Sequence, residues 1–405
     1  MDDFFEGDFT FWKITVPKRL LVPLFIVLIA KFAGALFIFY SLNISASGTF
    51  WSDSSRVYDW VQNDAFLTIP GGIGNWPLTF LGWDSAWFLS IMTKGYEISL
   101  QSFTFSPVFP FFAKMVNFVL QNPMISLALT ASFFGVLWIP LYQSLAEGYI
   151  GKKAALFSAL LLAFSPYLFI FTTVAYSEGL LLFFVLSAWL LLKRGKMFSA
   201  SAIAMVAPLI KTMGILVVLP MLYVSLRQRT HKVRNILLSL LPIVSISAWF
   251  AYLGISTGDF LAPVHTSEWA QLYSFRTLLT EGIPRFGMKA LLEAPYQIPP
   301  IPTHWLLPIA VAFSLFLPVL LFFGTRKKDK SLWIYAIAGY SGILYFGALV
   351  SLPRFISLLF PLWIPLTAGF SGSKRSIIIA GIISASFYII ALDLWFNFLN
   401  GIFVA

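Results

Sequence analysis

The feature that most constrains this chain is a series of long apolar segments that contain almost no charged residues. Examples are 20–42, 123–146 and 376–398, each longer than the roughly 20 residues that a helix needs to cross a bilayer. These segments are continuously apolar, whereas strands of a membrane β-barrel alternate apolar and polar residues. The sequence therefore predicts an all-α polytopic membrane protein.

Composition excludes the main soluble alternatives. Hydrophobic residues make up 59% of the 405 residues and charged residues only 11%, against about 25% charged residues in a typical soluble domain. The same values exclude a disordered chain, which combines low hydrophobicity with high charge. The chain has no Cys, which excludes disulfides, thiolate metal sites and Cys nucleophiles.

The net charge of +10 comes largely from short basic clusters between apolar segments, such as 193–196 and 326–330. This pattern is typical of cytoplasmic loops under the positive-inside rule, so we expect membrane lipids and no nucleic acid as partners. We predict a single transmembrane domain over 1–405 with about eleven spans. The predicted spans are 20–42, 123–146, 154–173, 177–192, 198–210, 212–226, 235–255, 305–324, 332–350, 355–370 and 376–398.

Counting 198–210 and 212–226 as two spans places the basic clusters on the same face as the N-terminus. Two large loops then lie on the outer face, one over 43–122 and one over 256–304. Segment 108–120 is too short to cross comfortably, which predicts a juxtamembrane helix lying on the outer leaflet. The first ten residues are acidic, unlike the start of a cleavable signal peptide, so we expect the first span to remain as an anchor.

Six ionisable residues lie within the predicted spans or at their outer ends. Charge inside a membrane costs about 2.5 kcal/mol or more, so each of these residues is a functional candidate. They are Lys31, Asp84, Glu178, Lys211, Arg354 and Asp393.

Asp84 lies between Trp83 and Trp87 and follows a Gly-Trp pair. Apolar neighbours raise the pKa of a carboxyl group toward the range of a general base, which makes Asp84 a candidate catalytic base. The alternative is structural, because Asp is also a favoured residue at the start of a helix.

The other candidates have a functional and a structural interpretation as well. Glu178 is either a second acid of the site or an acidic residue in the first turn of a helix. Lys211 and Arg354 interrupt apolar runs near the outer face, where two cations suit a phosphate group. Their alternative is snorkelling to lipid headgroups. For Lys31, at the middle of its span, we expect an ion pair inside the bundle, with Asp393 as the candidate partner.

Several aromatic and polar residues could bind the sugar or the acceptor, since aromatic rings stack on sugar faces. An aromatic belt at the membrane interface explains the tryptophan and tyrosine residues equally well. The candidates are Trp83, Trp87, Tyr176, His265, Glu268 and Trp269. We find no cluster with metal-ligand spacing and no nucleotide-binding motif, so neither a metal nor another cofactor is expected.

The order of motifs in the first outer loop resembles a known family. Trp83-Asp84 is followed by Phe-Leu-Ser-Ile over 88–91, by Gly-Tyr over 95–96 and by Phe-Ser-Pro-Val-Phe-Pro over 105–110. This order is similar to that of GPI mannosyltransferase II and its prokaryotic relatives, in which Phe-Phe-Pro stands where this chain has Phe-Ser-Pro. Segments 165–178, 211–214 and 353–361 extend the resemblance over roughly 80–365.

The resemblance implies a membrane glycosyltransferase of the GT-C superfamily, with juxtamembrane helices on the outer face. It implies that the donor is a polyprenyl (dolichyl) phosphate sugar, usually of mannose, and that the acceptor is a lipid or a glycan. It further implies that Asp84 is the catalytic base and Glu178 a second acid of the site. With one base and a phosphate leaving group, we expect the transfer to invert the anomeric configuration. The site would face the non-cytosolic side of the plasma membrane or the endoplasmic reticulum.

Two other classes of protein remain open. A multi-spanning transporter or lipid flippase shares the basic inner loops and the charged residues within spans, although it favours charges at the midplane. A non-catalytic subunit of a mannosyltransferase would share the motifs but would not need the acids for activity.

Overall fold

The structure is a computed structural model that describes residues 8–11, 14–44, 72–96, 100–265, 304–346, 351–370, 372–400 and 404. Over these residues all regular secondary structure is helical except for one short antiparallel hairpin near the N-terminus. In order, the first third contains β1 (Asp8–Phe11), β2 (Ile14–Pro17), α1 (Lys18–Ile44), a 3-10 helix (Gly72–Phe80), α2 (Asp84–Lys94), a 3-10 helix (Leu100–Thr104), α3 (Val108–Leu120) and α4 (Pro123–Ile150).

The remaining elements are helices, several of them short. The middle of the chain contains α5 (Lys152–Phe164), α6 (Pro166–Phe171), α7 (Glu178–Lys193), α8 (Met197–Ala204), α9 (Ala207–Ile210), a 3-10 helix (Thr212–Val217), α10 (Val218–Arg227), α11 (Lys232–Ser239), α12 (Leu241–Thr257) and α13 (Ala262–His265). The last part contains α14 (Leu307–Lys328), α15 (Lys330–Phe346), α16 (Leu352–Ser357), a 3-10 helix (Phe360–Leu362), α17 (Trp363–Thr367) and α18 (Lys374–Leu399).

Within the described ranges, five helical segments are long and apolar enough to cross a membrane, which makes this chain an integral membrane protein. They are Lys18–Leu42, Pro123–Ile150, Lys232–Thr257, Leu307–Lys328 and Lys374–Leu399. Of these five, α4 is the most enclosed by protein, and α1, α3, α5 and α7 all pack against it. The core of the bundle therefore lies around α4.

Several predicted spans are broken rather than continuous, so the predicted number of eleven is not what the helix lengths show. Segment 154–173 divides at Ser165–Pro166, and segment 355–370 falls into three short helical pieces. Proline at the first turn of a new helix ends the preceding one, because its ring and its missing N–H prevent continuation. Hydropathy depends only on how apolar the residues are, so it does not detect these interruptions in the predicted spans.

Basic residues collect at one end of the bundle. Arg19 at the start of α1 lies 3.1 Å from the Glu147 carboxylate in the last turn of α4. Lys193, at the end of α7, forms an ion pair with Asp329, which also accepts a 3.0 Å hydrogen bond from the Tyr149 hydroxyl. The opposite end of α7 carries the site described below.

A close glycine contact positions the start of α7. A Cβ atom on Gly179 would lie 2.7 Å from the Cα atom of Gly135 in α4, and one on Gly135 would lie 1.8 Å from the Thr172 carbonyl oxygen. Only glycine permits backbones to approach this closely, which is how small residues bring membrane helices together. The contact fixes α4, α7 and the end of α6 relative to one another.

The predicted Lys31–Asp393 pair is wrong. Lys31 Nζ donates hydrogen bonds to the carbonyl oxygen and the hydroxyl oxygen of Thr172, at 2.7 and 2.8 Å. Asp393 lies near the C-terminal end of α18, and its Oδ2 lies 2.9 Å from His304 Nε2. The broken backbone after α6 supplies the acceptors in place of a carboxylate, because a carbonyl at a helix end has no partner within the helix.

The glycine contact can be tested with Gly135→Ala and, as a matched control on the same helix, Gly148→Ala. The added methyl group at Gly135 would meet a backbone carbonyl, whereas nothing lies within 4 Å at Gly148. We expect Gly135→Ala to destabilise the protein by about 1–3 kcal/mol, as overpacking does, and Gly148→Ala to be neutral or mildly stabilising. Thermal unfolding in detergent measures both, and equal midpoints for the two variants would contradict the contact.

Candidate active site

Asp84 is the first residue of α2 and is presented by an unusual turn. Trp83 has φ of +48° and donates its indole N–H to the Phe398 carbonyl oxygen over 3.0 Å. Gly82 passes so close to the Phe398 ring that a Cβ atom would lie 2.6 Å from it. The structural alternative is therefore right about the helix start, although Trp83 and not Asp84 occupies the cap position.

Glu178 is the first residue of α7 and follows an irregular buried segment over 172–177. Within that segment, the Ala175 N–H donates to the Phe80 carbonyl oxygen over 2.7 Å. The Tyr176 hydroxyl accepts a 3.0 Å hydrogen bond from the Asp84 backbone N–H. These two bonds join the segment around Asp84 to the start of α7, so both acids belong to one structural unit.

Lys211 lies at an interruption between two helical segments. Helix α9 ends at Ile210, Lys211 is extended, and a 3-10 helix begins at Thr212. The turn is compact, because Gly214 donates to the Lys211 carbonyl oxygen over 2.7 Å and a Cβ atom on Gly214 would lie 2.3 Å from the Ala207 carbonyl. The break directs the lysine side chain to the site.

Arg354 lies in the first turn of α16, directly after Pro353, which is suited to that position. Its guanidinium carbon lies 4.5 Å from the ring centroids of both Phe171 and Tyr176. Cations bind favourably over aromatic rings, and the effect is stronger away from water. The rings therefore restrict where the guanidinium can move.

The structure brings four of the predicted site residues together. Arg354 Nε and Nη2 lie 2.7 and 2.6 Å from Oε1 of Glu178, and Lys211 Nζ lies 2.6 Å from the same oxygen. Arg354 Nη1 donates to Oδ2 of Asp84 over 3.1 Å. One acid thus binds both cations, and one cation binds both acids.

The two acids differ in their access to solvent. The Glu178 side chain is fully buried, whereas that of Asp84 is 36% exposed. The two cations also differ in exposure, because the Arg354 side chain is 8% exposed and that of Lys211 is 21% exposed. A molecule that approaches the cluster from outside can reach Asp84 first and cannot reach Glu178 without rearrangement.

The aromatic candidates near the acids are largely packed inside the protein. Trp87 is buried and stacks on Phe105 with 5.8 Å between ring centroids. Tyr176 is buried beneath Arg354, and Trp83 is half-buried. The burial of Trp87 and Tyr176 favours a positioning role over sugar binding. Two phenylalanines of this environment, at 171 and 398, are not predictable from the sequence, because nothing distinguishes them from core residues.

The described part of segment 256–304, which we predict to be the second outer loop, contributes no contact to the cluster. His265 is exposed and its Nδ1 lies 2.8 Å from Oδ2 of Asp259. Hydrogen bonds from His265 and from the Leu261 N–H lower the pKa of the Asp259 carboxyl. Glu268 and Trp269 lie outside the described residues, so their assignment stays a prediction. In the part of the chain that the structure describes, no three His, Asp or Glu residues form a group that could hold a metal.

Comparisons with known proteins give only distant similarities. No protein-family model and no curated protein matches the chain. Among solved structures, the apo oligosaccharyltransferase of Archaeoglobus fulgidus matches with 12% identity and a TM-score of 0.47, over 94% of this chain and 56% of that chain.

The same archaeal enzyme in complex with zinc and sulfate matches with 14% identity and a TM-score of 0.47, over 80% of this chain and 49% of that one. The form with an inhibitory peptide and a dolichol-phosphate gives 13% identity and 0.45, over 79% and 51%. This chain thus spans about half the length of these structures. At TM-scores below 0.5, the similarities assign neither a fold nor an activity to it.

The buried cluster can be tested with Glu178→Gln, which removes the carboxylate that binds both cations. We expect a loss of about 3–5 kcal/mol of stability, because Arg354 and Lys211 would then share a buried site with too little negative charge. Glu147→Gln is the matched control at the basic end, where a part-exposed pair with Arg19 contributes about 1 kcal/mol or less. Thermal unfolding in detergent compares them, and a Glu178→Gln midpoint no lower than that of Glu147→Gln would contradict this account.

Proposed function

We propose that this protein is an inverting glycosyltransferase that moves a hexose, mannose by resemblance, from a polyprenyl or dolichyl phosphate to a lipid or glycan acceptor. The observation that carries the proposal is the joining of Asp84, an accessible carboxylate, to Arg354 and Lys211 in one cluster. Base and phosphate-binding cations are the groups that such a transfer needs at one place. The first-loop motifs that resemble GPI mannosyltransferase II supply the choice of donor.

The position of the cluster supports a site on the non-cytosolic side. Glu178 and Lys193 begin and end α7, a helix of 16 residues, so they lie about 22 Å apart along its axis. Lys193 belongs to the basic end, which the positive-inside rule assigns to the cytoplasm. With the broken helices crossing the membrane as well, the proposed topology has about eleven crossings, in the plasma membrane or the endoplasmic reticulum.

In the proposed reaction, the donor phosphate binds at Arg354 and Lys211 while Asp84 faces the acceptor hydroxyl. Asp84 accepts the hydroxyl proton as the acceptor oxygen bonds to the anomeric carbon and the bond from that carbon to the phosphate oxygen breaks. The phosphate leaves as a polyprenyl phosphate and the anomeric configuration inverts. Positioning and charge stabilisation supply the rate enhancement. Glu178 holds the two cations in place and does not meet the acceptor.

The proposal predicts that Asp84→Asn nearly abolishes transfer. The amide keeps the shape of the side chain but cannot accept the proton, and loss of a general base lowers rates by about 100- to 10,000-fold. The assay follows radiolabelled mannose from a synthetic polyprenyl phosphate mannose into extracted membrane lipids or glycans, and the anomeric configuration of the product tests inversion.

Asp393→Asn is the matched control, because Asp393 is a half-exposed carboxylate whose described side-chain partners, His304 and Asn397, do not belong to the cluster. It should transfer at the wild-type rate. An Asp84→Asn variant that does the same would remove the base assignment. Wild-type protein that moves the intact donor lipid across a bilayer without transferring sugar would favour a flippase. Activity that requires a second subunit and neither acid would favour a non-catalytic role.

A further inference from the structure

Arg354 makes shorter and more numerous contacts with the buried Glu178 than with the accessible Asp84. On the Glu178 side, two nitrogens lie 2.6 and 2.7 Å from an oxygen of a fully buried side chain. On the Asp84 side, one nitrogen lies 3.1 Å from an oxygen of a side chain that is 36% exposed. Exposed ion pairs contribute little and exchange readily, whereas breaking a buried pair is costly. The contact with Asp84 is therefore the exchangeable one.

Arg354 cannot easily leave its position to meet an incoming anion. The Phe171 and Tyr176 rings lie against the guanidinium, and Glu178 holds two of its nitrogens. An anion must therefore come to Nη1, on the side that Asp84 now occupies. A phosphate oxygen is a strong acceptor for a guanidinium, so it competes directly with the Asp84 carboxylate.

We propose that Arg354 is shared in turn by Asp84 and the donor phosphate, so that the bound phosphate displaces the Asp84 carboxylate from Nη1 and frees it to act as the base. The inference rests on the proposed function and adds to it an order of events, with the donor first and the acceptor second. Before the donor arrives, the Asp84 carboxylate is engaged by Arg354 Nη1 at 3.1 Å and is not free to meet an acceptor hydroxyl. Tyr176, Glu178 and Lys211 are the other ionisable groups of this environment, and none of them needs to move.

The charges of the reaction fit this exchange. The donor is a phosphodiester with one negative charge, and the product phosphate carries close to two. Asp84 begins with one negative charge and ends neutral, since it receives the acceptor proton. Negative charge therefore passes from Asp84 to the phosphate, and Arg354 lies beside both. An interaction that strengthens as charge develops on the leaving phosphate stabilises the transition state more than the bound substrate.

The test measures donor affinity without acceptor, in purified full-length protein in nanodiscs, with polyprenyl phosphate mannose as the probe. If Asp84 competes with the phosphate for Arg354, then Asp84→Asn should bind the donor roughly two- to fivefold more tightly even though transfer is nearly lost. A second variant, Asp84→Ser, should show the same gain. Glu178→Gln should instead bind more weakly, because it releases the anchor of Arg354.

Removing a negative charge could also raise donor affinity without involving Arg354. Repeating Asp84→Asn in an Arg354→Lys background separates this general effect from competition for Nη1. Lysine keeps the charge but lacks the second arm of the guanidinium, so the gain in affinity should vanish if it depends on Nη1. Asp393→Asn should leave the affinity unchanged. Unchanged or weaker binding by both Asp84 variants, or a gain that persists in the Arg354→Lys background, overturns the inference. Wild-type protein that binds no donor at all overturns the proposed function instead.

Discussion

The structure depends on a single buried carboxylate. Glu178 lies in an apolar interior where an unpaired charge would be prohibitive, and Arg354 and Lys211 both bind its Oε1. The three residues come from the start of α7, from the break after α9 and from the first turn of α16. Because neither cation nor acid is stable there alone, the cluster requires all three segments to meet, and Asp84 joins it through Arg354.

The irregular backbone around the cluster follows from this requirement. Continuous helices would carry these side chains past one another, whereas breaks at Lys211 and after α6 direct them to one point. A broken helix exposes polar backbone groups that must find partners away from water. Lys31 binds the Thr172 carbonyl oxygen and Phe80 accepts the Ala175 N–H, so these groups are satisfied inside the protein.

The residues of the site are more readily predicted from the sequence than the fold is. Asp84, Glu178, Lys211 and Arg354 stand out because charge within apolar segments is expensive and rarely without purpose. The distances between these four residues cannot be predicted from the sequence, because contacts between residues far apart in the chain depend on how the helices pack. The partner of Lys31 cannot be predicted for a related reason, because every residue has a backbone carbonyl and the sequence does not show which ones a helix break leaves unpaired. The predicted spans likewise include segments that proline divides.

The different surroundings of Asp84 and Glu178 decide which of them can give up its contact with Arg354. Protonating Glu178 would leave two cations in a nearly dry site without their common partner, so its negative charge is structurally required. Losing the contact with Asp84 costs less, since Arg354 remains paired with Glu178 and the Asp84 side chain is partly exposed. Burial alone thus gives two carboxylates on the same arginine different surroundings. In the proposed reaction the buried one maintains the site, and the accessible one accepts the proton after the donor phosphate has displaced it from Arg354.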